Sequence, residues 1–414
     1  MYLRYTMDMF FKRSKKTIYA DCAAATPLSK NAHAAMDPYW RDIFYNPHAL
    51  YDGGVRATQA LEQSRQTIAD HLGVQDHTIT FTGGATESNN LALQGVLKKY
   101  KCTYPDRTPH IIMSPFEHEA IRNQVQTLSQ DGLLTYDEMP ISSDGIVDVR
   151  ALKGLITQNT ALISIIYAHN EIGTIQPLRE ITKTVRWWKK HNTSNVYPLV
   201  HTDAVQAPLY IDMHIPRLGI DLLTASGAKI HGPKGVAILY SASRDYLEPI
   251  IYGGGQEAGL RSGTENVPLI VGFAQAFDEA REHYKERFAT MENRGAYARE
   301  LFQECASGIR INGSISDRLP NNINISIDDV HSEELVLRLD ADGILCSSQS
   351  ACSTDSDESY VIHALHPGDD ALRGSLRFTF QEGISRKDIA YIRDRLKYHI
   401  ETIRQTHQRF HSHN

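Results

Sequence analysis

The sequence has no long apolar run and no large excess of charge of either sign. Its longest largely apolar stretch, residues 161–168, is far shorter than the roughly 20 residues of a membrane-spanning helix. Lys and Arg number 43 against 49 Asp and Glu, giving a net charge of −6. With 41% hydrophobic and 22% charged residues, the composition is that of a folded globular protein. We expect neither membrane insertion nor direct nucleic-acid binding.

Cysteine is also scarce, with five residues and no CxxC pair. This pattern predicts neither a disulfide framework nor a zinc site, so we expect a reducing compartment, the cytoplasm. We interpret His407, His411 and His413 as part of a ragged chain end, and no metal site is predicted. Residues 1–16 lack the apolar core and cleavage site of a signal peptide, so we expect an N-terminal extension.

Short β-rich runs alternate with longer helical patterns over the first two thirds of the chain. This alternation predicts an α/β domain with a mainly parallel sheet and right-handed crossovers. After about residue 284, a charged helical stretch, short strands and a closing helix predict a smaller α+β domain. The predicted strands are 78–81, 110–114, 133–138, 161–167, 197–203, 221–225, 321–327 and 376–380, and the predicted helices are 87–100, 119–130, 147–155, 178–191, 280–303 and 386–405.

Two glycines and two small residues, Gly83 to Thr86, separate the first of these strands from its helix. Backbone N–H groups at a helix start are unpaired and favour an anion, so this turn fits a phosphate cradle. An ordinary strand-to-helix turn with a Thr N-cap is the alternative. The GK[ST] spacing of a P-loop is absent.

Lys229 lies among small residues after a predicted strand, and Asp203 ends the preceding strand. An enclosed lysine has a lowered amine pKa, which a Schiff-base lysine needs, whereas an isolated lysine is ordinarily a surface residue. Open α/β sheets bind ligands beyond the carboxyl ends of their strands. The acid, the lysine and the phosphate cradle together match the requirements of pyridoxal phosphate.

Three further residues have both a chemical and an ordinary interpretation. His118 follows a predicted strand and fits a proton-transfer role, although a solvated histidine has the same pattern. Arg377 lies within a predicted strand, where a fork for a substrate carboxylate explains it better than a surface role. Cys352 lies in a polar stretch whose acidic residues would raise the thiol pKa, so its activation would have to come from the active site.

Taken together, these segments resemble the pyridoxal-phosphate-dependent cysteine desulfurases of the class V aminotransferase group. The resemblance runs from about residue 18 to about residue 404, and the stretch after Cys352 is similar to that of the long-loop subgroup. The matching motifs are Tyr19-Ala-Asp, Asn46-Pro47, Gly84-Ala-Thr-Glu-Ser-Asn-Asn90, Glu117-His118, His169-Asn170-Glu-Ile-Gly173, His201-Thr-Asp203-Ala-Val-Gln206, Gly232-Pro-Lys-Gly235, Arg261-Ser-Gly-Thr264 and Ser350-Ala-Cys352.

The resemblance implies a fold type I architecture. Its large domain, residues 29–284, would contain a mainly parallel seven-stranded sheet and bind pyridoxal 5'-phosphate. Its small α+β domain would combine residues 17–28 with 285–414 and carry the stretch with the catalytic cysteine.

The resemblance also implies roles for individual residues. Lys229 would hold the cofactor covalently, Asp203 would keep its pyridine nitrogen protonated, and His118 would cover the ring and transfer protons. The other implied cofactor contacts are Gln206 to the ring hydroxyl, Ala85, Thr86 and Ser226 to the phosphate, Asn170, and Thr264 from the neighbouring subunit of a homodimer. Arg377, Asn170 and Asn46 would bind the substrate cysteine.

The implied activity is that of a cysteine desulfurase, in which Cys352 takes the sulfur of L-cysteine as a persulfide and L-alanine is released. The persulfide would pass to a protein acceptor, and iron–sulfur assembly, tRNA or DNA thiolation and cofactor biosynthesis remain open. A selenocysteine lyase, an aminotransferase or a catalytically silent structural relative are the alternatives.

Three features depart from the pattern of many relatives. Ala228 stands where they have His, which removes one phosphate donor worth about 1 kcal/mol. Gln349 replaces a common Gly before Cys352, and Gln381 replaces another after the arginine strand. Without a longer tail after its last helix, the chain is not expected to dock a cluster scaffold through one.

Overall fold

The structure is a computed structural model that describes residues 16–192, 196–348, 359–367 and 372–411, with side chains omitted for residues 372–374 and 407–411. Gln349 and Cys352, and the expected extension up to residue 15, therefore lie outside the described residues.

A seven-stranded sheet forms the centre of the larger part of the molecule. Its strands are β2 (Ile79–Thr82), β3 (His110–Met113), β4 (Thr135–Glu138), β5 (Thr160–Ser164), β6 (Leu199–Asp203), β7 (Leu222–Ser226) and β8 (Ala237–Ser241). The strand order is β2-β8-β7-β6-β5-β3-β4, with five neighbouring strands parallel and β8 antiparallel to both its neighbours. The mainly parallel α/β sheet is thus confirmed.

Helices connect these strands, and their apolar faces follow the helical period. In Leu178–His191, for example, Leu178, Ile181, Val185 and Trp188 are buried at successive turns. Both this helix and Glu119–Gln130 have the bounds that the sequence predicts. The helices are α1 (Lys30–Met36), α2 (Pro38–Arg41), α3 (Asp52–Leu72), α4 (Ala85–Thr103), α5 (Glu119–Gln130), α6 (Val149–Leu155), α7 (Leu178–His191), α8 (Ile215–Leu218), α9 (Val267–Glu282) and α10 (Tyr284–Glu304).

The rest of the chain forms a smaller α+β arrangement. An antiparallel sheet has the order β12-β10-β9, and β1 pairs with β11 in parallel. The predicted charged helical stretch proves to be parts of two helices, α9 and α10, which meet at His283. The remaining elements are β1 (Ile18–Tyr19), β9 (Ile309–Ile311), β10 (Asn322–Asp328), α11 (Ser332–Ala341), β11 (Ile344–Leu345), α12 (Tyr360–Leu365), β12 (Leu372–Thr379) and α13 (Arg386–His411).

The start of the described chain belongs to the core of this smaller arrangement. Ile18 and Ala20 pack in one buried cluster with residues from Met291 to Ile403. Separate clusters lie on the faces of the seven-stranded sheet. The exact bounds of the two expected domains stay a prediction. No helix among the described residues is long and apolar enough to cross a membrane.

Residues 20–29, which we call the N-terminal strap, join the two arrangements. On one side, the backbone N–H of Thr379 donates to the Ala20 carbonyl at 2.7 Å. On the other side, the N–H groups of Thr26 and Ser29 donate to the carbonyls of Ala228 and His231 at 3.1 and 2.8 Å. The strap therefore runs from strand β12 to the turn that carries Lys229.

Candidate active site

A cavity of about 190 Å³ opens between the carboxyl ends of the central strands and strand β12. It lies where a doubly wound sheet binds its ligands. The cavity brings together eight residues that the sequence analysis singled out, namely Ala85, Thr86, His118, Asn170, Asp203, Gln206, Lys229 and Arg377, and it is also lined by Ala23, Ala24, Asn89, Ile166 and Val205. The predicted convergence of the lysine and the acid on one pocket is thus observed.

The turn between β2 and α4 presents unpaired backbone donors. The N-cap of α4 is Gly84, which has no side chain to accept a hydrogen bond from the helix start. The alternative of a Thr N-cap is therefore wrong. A Cβ at Gly84 would meet nothing within 4 Å, which leaves open space beside the turn. Since α4 is 19 residues long and begins at the cavity, its N–H groups and macrodipole favour an anion there.

Asp203 ends strand β6, and its side chain is almost completely buried. One carboxylate oxygen accepts a hydrogen bond from Asn89 Nδ2 at 2.7 Å, and the other accepts the Val205 N–H at 3.0 Å. Asn89 Oδ1 has no hydrogen-bond partner among the described residues. Asn89 thus orients a buried carboxylate that lines the cavity and can receive a protonated ring nitrogen.

Lys229 lies at the end of a short 3₁₀ turn that follows strand β7. Its Nζ donates to the carbonyl oxygen of Ala24 in the N-terminal strap. The neighbouring Ala23 carbonyl accepts a hydrogen bond from Gln206 Nε2 at 3.1 Å. The strap therefore positions both a candidate imine-forming amine and a candidate ring contact.

His118 is the N-cap of helix α5 at the mouth of strand β3. Its Nδ1 accepts the Ala120 N–H at 3.1 Å, which makes Nδ1 an acceptor and assigns the proton of the neutral ring to Nε2. The side chain is partly exposed in the cavity lining. A histidine held in this way can act as a proton donor or acceptor toward a ligand in the cavity.

The preceding residue, Glu117, is a fully buried acid. Its oxygens accept the Ile166 N–H at 2.6 Å and the Ser164 hydroxyl at 3.3 Å. Burial and then the charge of Asp203 raise the pKa of Glu117 to about 8. The side chain is therefore predominantly a neutral carboxylic acid at pH 7.

Arg377 enters the cavity from strand β12 of the smaller sheet, paired there with Asn324 of β10. The side chain is only 2% exposed. Its Nη2 donates to Asp21 Oδ1 at 2.7 Å, and Nη1 makes a long contact of 3.5 Å with the Asn170 carbonyl. A buried guanidinium at the edge of the cavity is suited to a substrate carboxylate.

Three other predicted residues, Ser226, Asn46 and Thr264, lie outside this cavity. Ser226 is buried at the end of β7, and its hydroxyl donates weakly to the Val236 carbonyl at 3.4 Å. Asn46 is exposed and accepts the His48 N–H at 2.9 Å. Thr264 is also exposed and lines a separate cavity of about 230 Å³.

Three residues of the site lay inside motifs of the sequence but received no role from it. They are Asp21 in the Tyr19-Ala-Asp motif, Asn89 in the glycine-turn motif and Glu117 beside His118. Asp21 is a polar residue among small neighbours, which was an available signal, whereas Asn89 and Glu117 have polar neighbours and carry no such signal. Their function depends on contacts with residues more than 40 positions away.

Comparisons with known proteins agree with this geometry. The family model for class-V aminotransferases matches residues 18–392. The cysteine desulfurase IscS of Dictyoglomus turgidum is 38% identical over 94% of this chain and 96% of the relative. The mitosomal cysteine desulfurase of Encephalitozoon cuniculi is 36% identical over 94% of this chain and 88% of its own.

Solved structures give the same result. A NifS-like protein superimposes with a TM-score of 0.84 at 31% identity, covering 94% of this chain and all of the other. SspA in complex with cysteine superimposes with a TM-score of 0.74 at 31% identity, covering 88% of this chain and 99% of SspA. The chain belongs to the class-V aminotransferase family, and within it to the cysteine desulfurases.

Proposed function

We propose that this protein is a pyridoxal-phosphate-dependent cysteine desulfurase that converts L-cysteine to L-alanine and stores the sulfur as a persulfide on Cys352. The observation that carries the proposal is the meeting of Lys229, Asp203, His118 and Arg377 around one cavity. These side chains are distant in sequence and come from both parts of the fold. Similarity to curated cysteine desulfurases over nearly the whole chain supports the same reaction.

The donors and acceptors of the cavity fit pyridoxal 5'-phosphate. The uncapped start of helix α4 at Ala85 and Thr86 would hold its phosphate, and Asp203 would hold its pyridine nitrogen. Lys229 would bind it covalently, Gln206 would contact the ring hydroxyl, and His118 would lie against the ring. When bound, the cofactor withdraws electrons from the substrate carbon atoms next to the amine. The open space beside Gly84 supports a ligand at this turn.

The Ser226 and Thr264 hydroxyls complete the proposed phosphate site. Ser226 already lies at the end of β7, one residue before the turn that carries Lys229. Thr264 is exposed and apart from the cavity, which fits a contribution to the site of a partner subunit. A homodimer is further supported by the exposure of Phe44, Leu50 and Tyr252, large apolar side chains that a partner would cover.

The substrate would bind through its carboxylate to Arg377 and Asn170, with Asn46 as a further contact. Arg377 provides five N–H donors, and the described residues receive only one of them at close distance. The structure of the 31%-identical SspA contains cysteine, which supports cysteine as the substrate here. His118 Nε2 and Lys229 Nζ are placed in the same lining to move protons to and from the bound substrate.

The nucleophile would be Cys352, which lies outside the described residues and follows a described segment that pairs with Arg377. Ser347 pairs with the backbone of Arg377, and Cys352 lies five residues further, a span of at most about 18 Å. The other cysteines are poor candidates. Burial raises the pKa of Cys22 to about 12 and that of Cys305 to about 11, and it raises the pKa of Cys346 as well. Cys102 lies near the far end of α4.

The proposed reaction balances without an external oxidant. The Cys352 thiolate attacks the substrate sulfur, an S–S bond forms, and the C–S bond of the substrate breaks with its electron pair moving to carbon. A proton replaces sulfur on that carbon, giving L-alanine and the persulfide. A protein acceptor would then take the sulfur. Because Cys352 must return to a thiol in each cycle, a reducing compartment such as the cytoplasm fits this function.

The test compares wild type with Cys352→Ala and the control Cys102→Ala, which removes an exposed thiol at the far end of α4. With cysteine and a reductant, wild type and control should each release one sulfide per alanine and at the same rate. In Cys352→Ala, the rate of alanine and sulfide release should fall at least about 100-fold. An unchanged rate in Cys352→Ala would contradict the persulfide route. Formation of 3-mercaptopyruvate with transfer of the amino group to a keto acid, in place of alanine, would indicate an aminotransferase, and preference for selenocysteine would indicate a lyase.

A silent structural relative makes a different prediction. Purified protein would lack the near-ultraviolet and visible absorbance of the bound cofactor, and added cofactor would not restore it. We expect the absorbance to be present in wild type and to be lost in Lys229→Ala, since Lys229 would form the covalent link.

A further inference from the structure

We propose that Asp21 is a positioning residue for the substrate carboxylate, because it holds the guanidinium of Arg377 by one nitrogen and directs the remaining donors toward the substrate. This inference rests on the proposed function and assigns a role to the Tyr19-Ala-Asp motif.

The contact between Asp21 and Arg377 is short and largely shielded from water. Asp21 Oδ1 accepts a hydrogen bond from Arg377 Nη2 at 2.7 Å, and the side chains are 19% and 2% exposed. Arg377 Nε has no hydrogen-bond partner among the described residues, and Nη1 reaches only the Asn170 carbonyl at 3.5 Å. Asp21 is thus the only close side-chain partner described for this guanidinium.

The position of Asp21 is itself fixed by the backbone around it. The Tyr19 hydroxyl donates to the carbonyl of Asp21 at 2.9 Å, and the Ala24 N–H donates to the same carbonyl at 3.0 Å. Next to it, the Cys22 N–H donates to the Thr379 carbonyl at 3.1 Å. The backbone of Asp21 is therefore held against the strand that carries Arg377.

A guanidinium on a long side chain loses rotamer entropy when it binds a carboxylate, and an arginine held in advance loses less. The Asp21 contact pre-orders Arg377 through one nitrogen. Because Asp21 takes a single N–H, other donors of the fork remain for a second carboxylate. Asp21 does not line the cavity, so it acts through Arg377 and not on the substrate directly.

This arrangement predicts that the effect of Asp21 depends on the carboxylate of the ligand. L-alanine, the proposed product, carries that group, whereas ethylamine is the same amine without it. Removal of Asp21 should weaken alanine binding and leave ethylamine binding unchanged. Asp21→Asn removes only the charge and should keep most of the wild-type affinity for alanine, because the amide oxygen still accepts the Arg377 hydrogen bond.

The experiment compares holoenzymes of wild type, Asp21→Ala, Asp21→Asn and the control Asp37→Ala. Asp37 lies outside the N-terminal strap, and its side chain is 63% exposed. We measure kcat and KM for L-cysteine, and Kd for alanine and ethylamine by calorimetry. Asp21→Ala should raise KM and the alanine Kd about tenfold and change kcat by less than about twofold. Asp21→Asn should stay within about threefold of wild type, and Asp37→Ala should equal it.

Three results would overturn the inference. An unchanged alanine Kd in Asp21→Ala would show that Arg377 needs no support. Equal losses for alanine and ethylamine would show a general structural defect. Equal losses in Asp21→Asn and Asp21→Ala would show that charge and not orientation matters. If wild type itself releases no alanine from cysteine, the proposed function fails, and the alanine and ethylamine titrations still test Asp21 separately.

Discussion

Opposite walls of the cavity are built in different ways. The first wall, formed by Ala85, Thr86, Asn89, Asp203 and Lys229, comes entirely from strand ends and a helix start of the central sheet. Asp203 and Asn89 are fixed by short contacts within that sheet and its helices, and the Lys229 amine donates to the strap. We call it the cofactor wall. Its place at the carboxyl ends of the strands follows from a doubly wound fold.

The second wall, which we call the substrate wall, depends on three separate parts of the chain. Arg377 lines the cavity from the smaller sheet and Asn170 from the loop after β5. Asp21 of the N-terminal strap does not line the cavity and holds the guanidinium of Arg377. Asn322 of the smaller sheet donates to the Asn170 carbonyl at 3.1 Å, which joins two of these parts. Because the two walls are built from different contacts, we expect substitutions in the cofactor wall to change mainly cofactor affinity. Substitutions in the substrate wall should change mainly the affinity for cysteine.

The largest expected effect tests the substrate wall. Arg377→Lys keeps the charge and removes the planar fork, so KM for cysteine should rise about 100-fold while cofactor affinity stays within about twofold. Steady-state kinetics and a cofactor titration measure the two quantities. Arg338→Lys, on helix α11 with an exposed partner Glu334, is the matched control. A comparable loss of cofactor affinity in Arg377→Lys would mean that the walls are not separable.

A smaller effect of the opposite kind is expected at the cofactor wall. Asn89→Ala removes the hydrogen bond to Asp203, so cofactor affinity should fall about tenfold, with KM for cysteine at saturating cofactor within about twofold of wild type. Asn90→Ala is a control on the same helix, since Asn90 donates to the Thr86 carbonyl and accepts from Gln94 Nε2, both of that helix. Equal cofactor affinity in both variants would contradict the role given to Asn89.

The smallest effect concerns Glu117, the buried acid that precedes His118. The unfolded chain loses the Glu117 proton near pH 4.5, whereas the folded protein keeps it until about pH 8. The stability associated with this proton is therefore complete below about pH 4.5 and is lost as pH rises through about 8. Glu117→Gln stays neutral, so its melting temperature relative to wild type should rise by about 3 °C or more between pH 5 and pH 9.

Thermal unfolding of both proteins at several pH values measures this difference. The surface variant Glu180→Gln, which removes an exposed acid at the start of α7, should show no such trend. A constant difference between Glu117→Gln and wild type across the range would mean that Glu117 is ionised in the folded protein.

The cofactor wall was largely predictable from the sequence, and the substrate wall was only partly so. Strand β6 ends in Asp203 and strand β7 leads to Lys229, and both strands begin with two apolar residues. Parallel topology then places those ends at one edge of the sheet. Strand β8 was not predicted, because a short, fully buried apolar run shows no alternation that distinguishes a strand from other buried segments.

The contacts that sequence patterns could not supply are those between residues far apart in the chain. Asp21 meets Arg377 across 356 positions, and Asn89 meets Asp203 across 114. Neither pair has a spacing rule, because one depends on how the strap packs beside strand β12 and the other on how helix α4 packs against strand β6. The motifs indicated that these residues matter, and the structure supplied the partners.

The central claim is that both walls serve one reaction that ends on Cys352. Peptide mass spectrometry of the holoenzyme after brief exposure to L-cysteine, without reductant, tests it most directly. We predict one additional sulfur atom on Cys352 and none on Cys22, Cys102, Cys305 or Cys346, with fragmentation of the peptide that contains both Cys346 and Cys352 assigning the site. Additional sulfur on another cysteine, or on none while alanine is still released, would contradict the account.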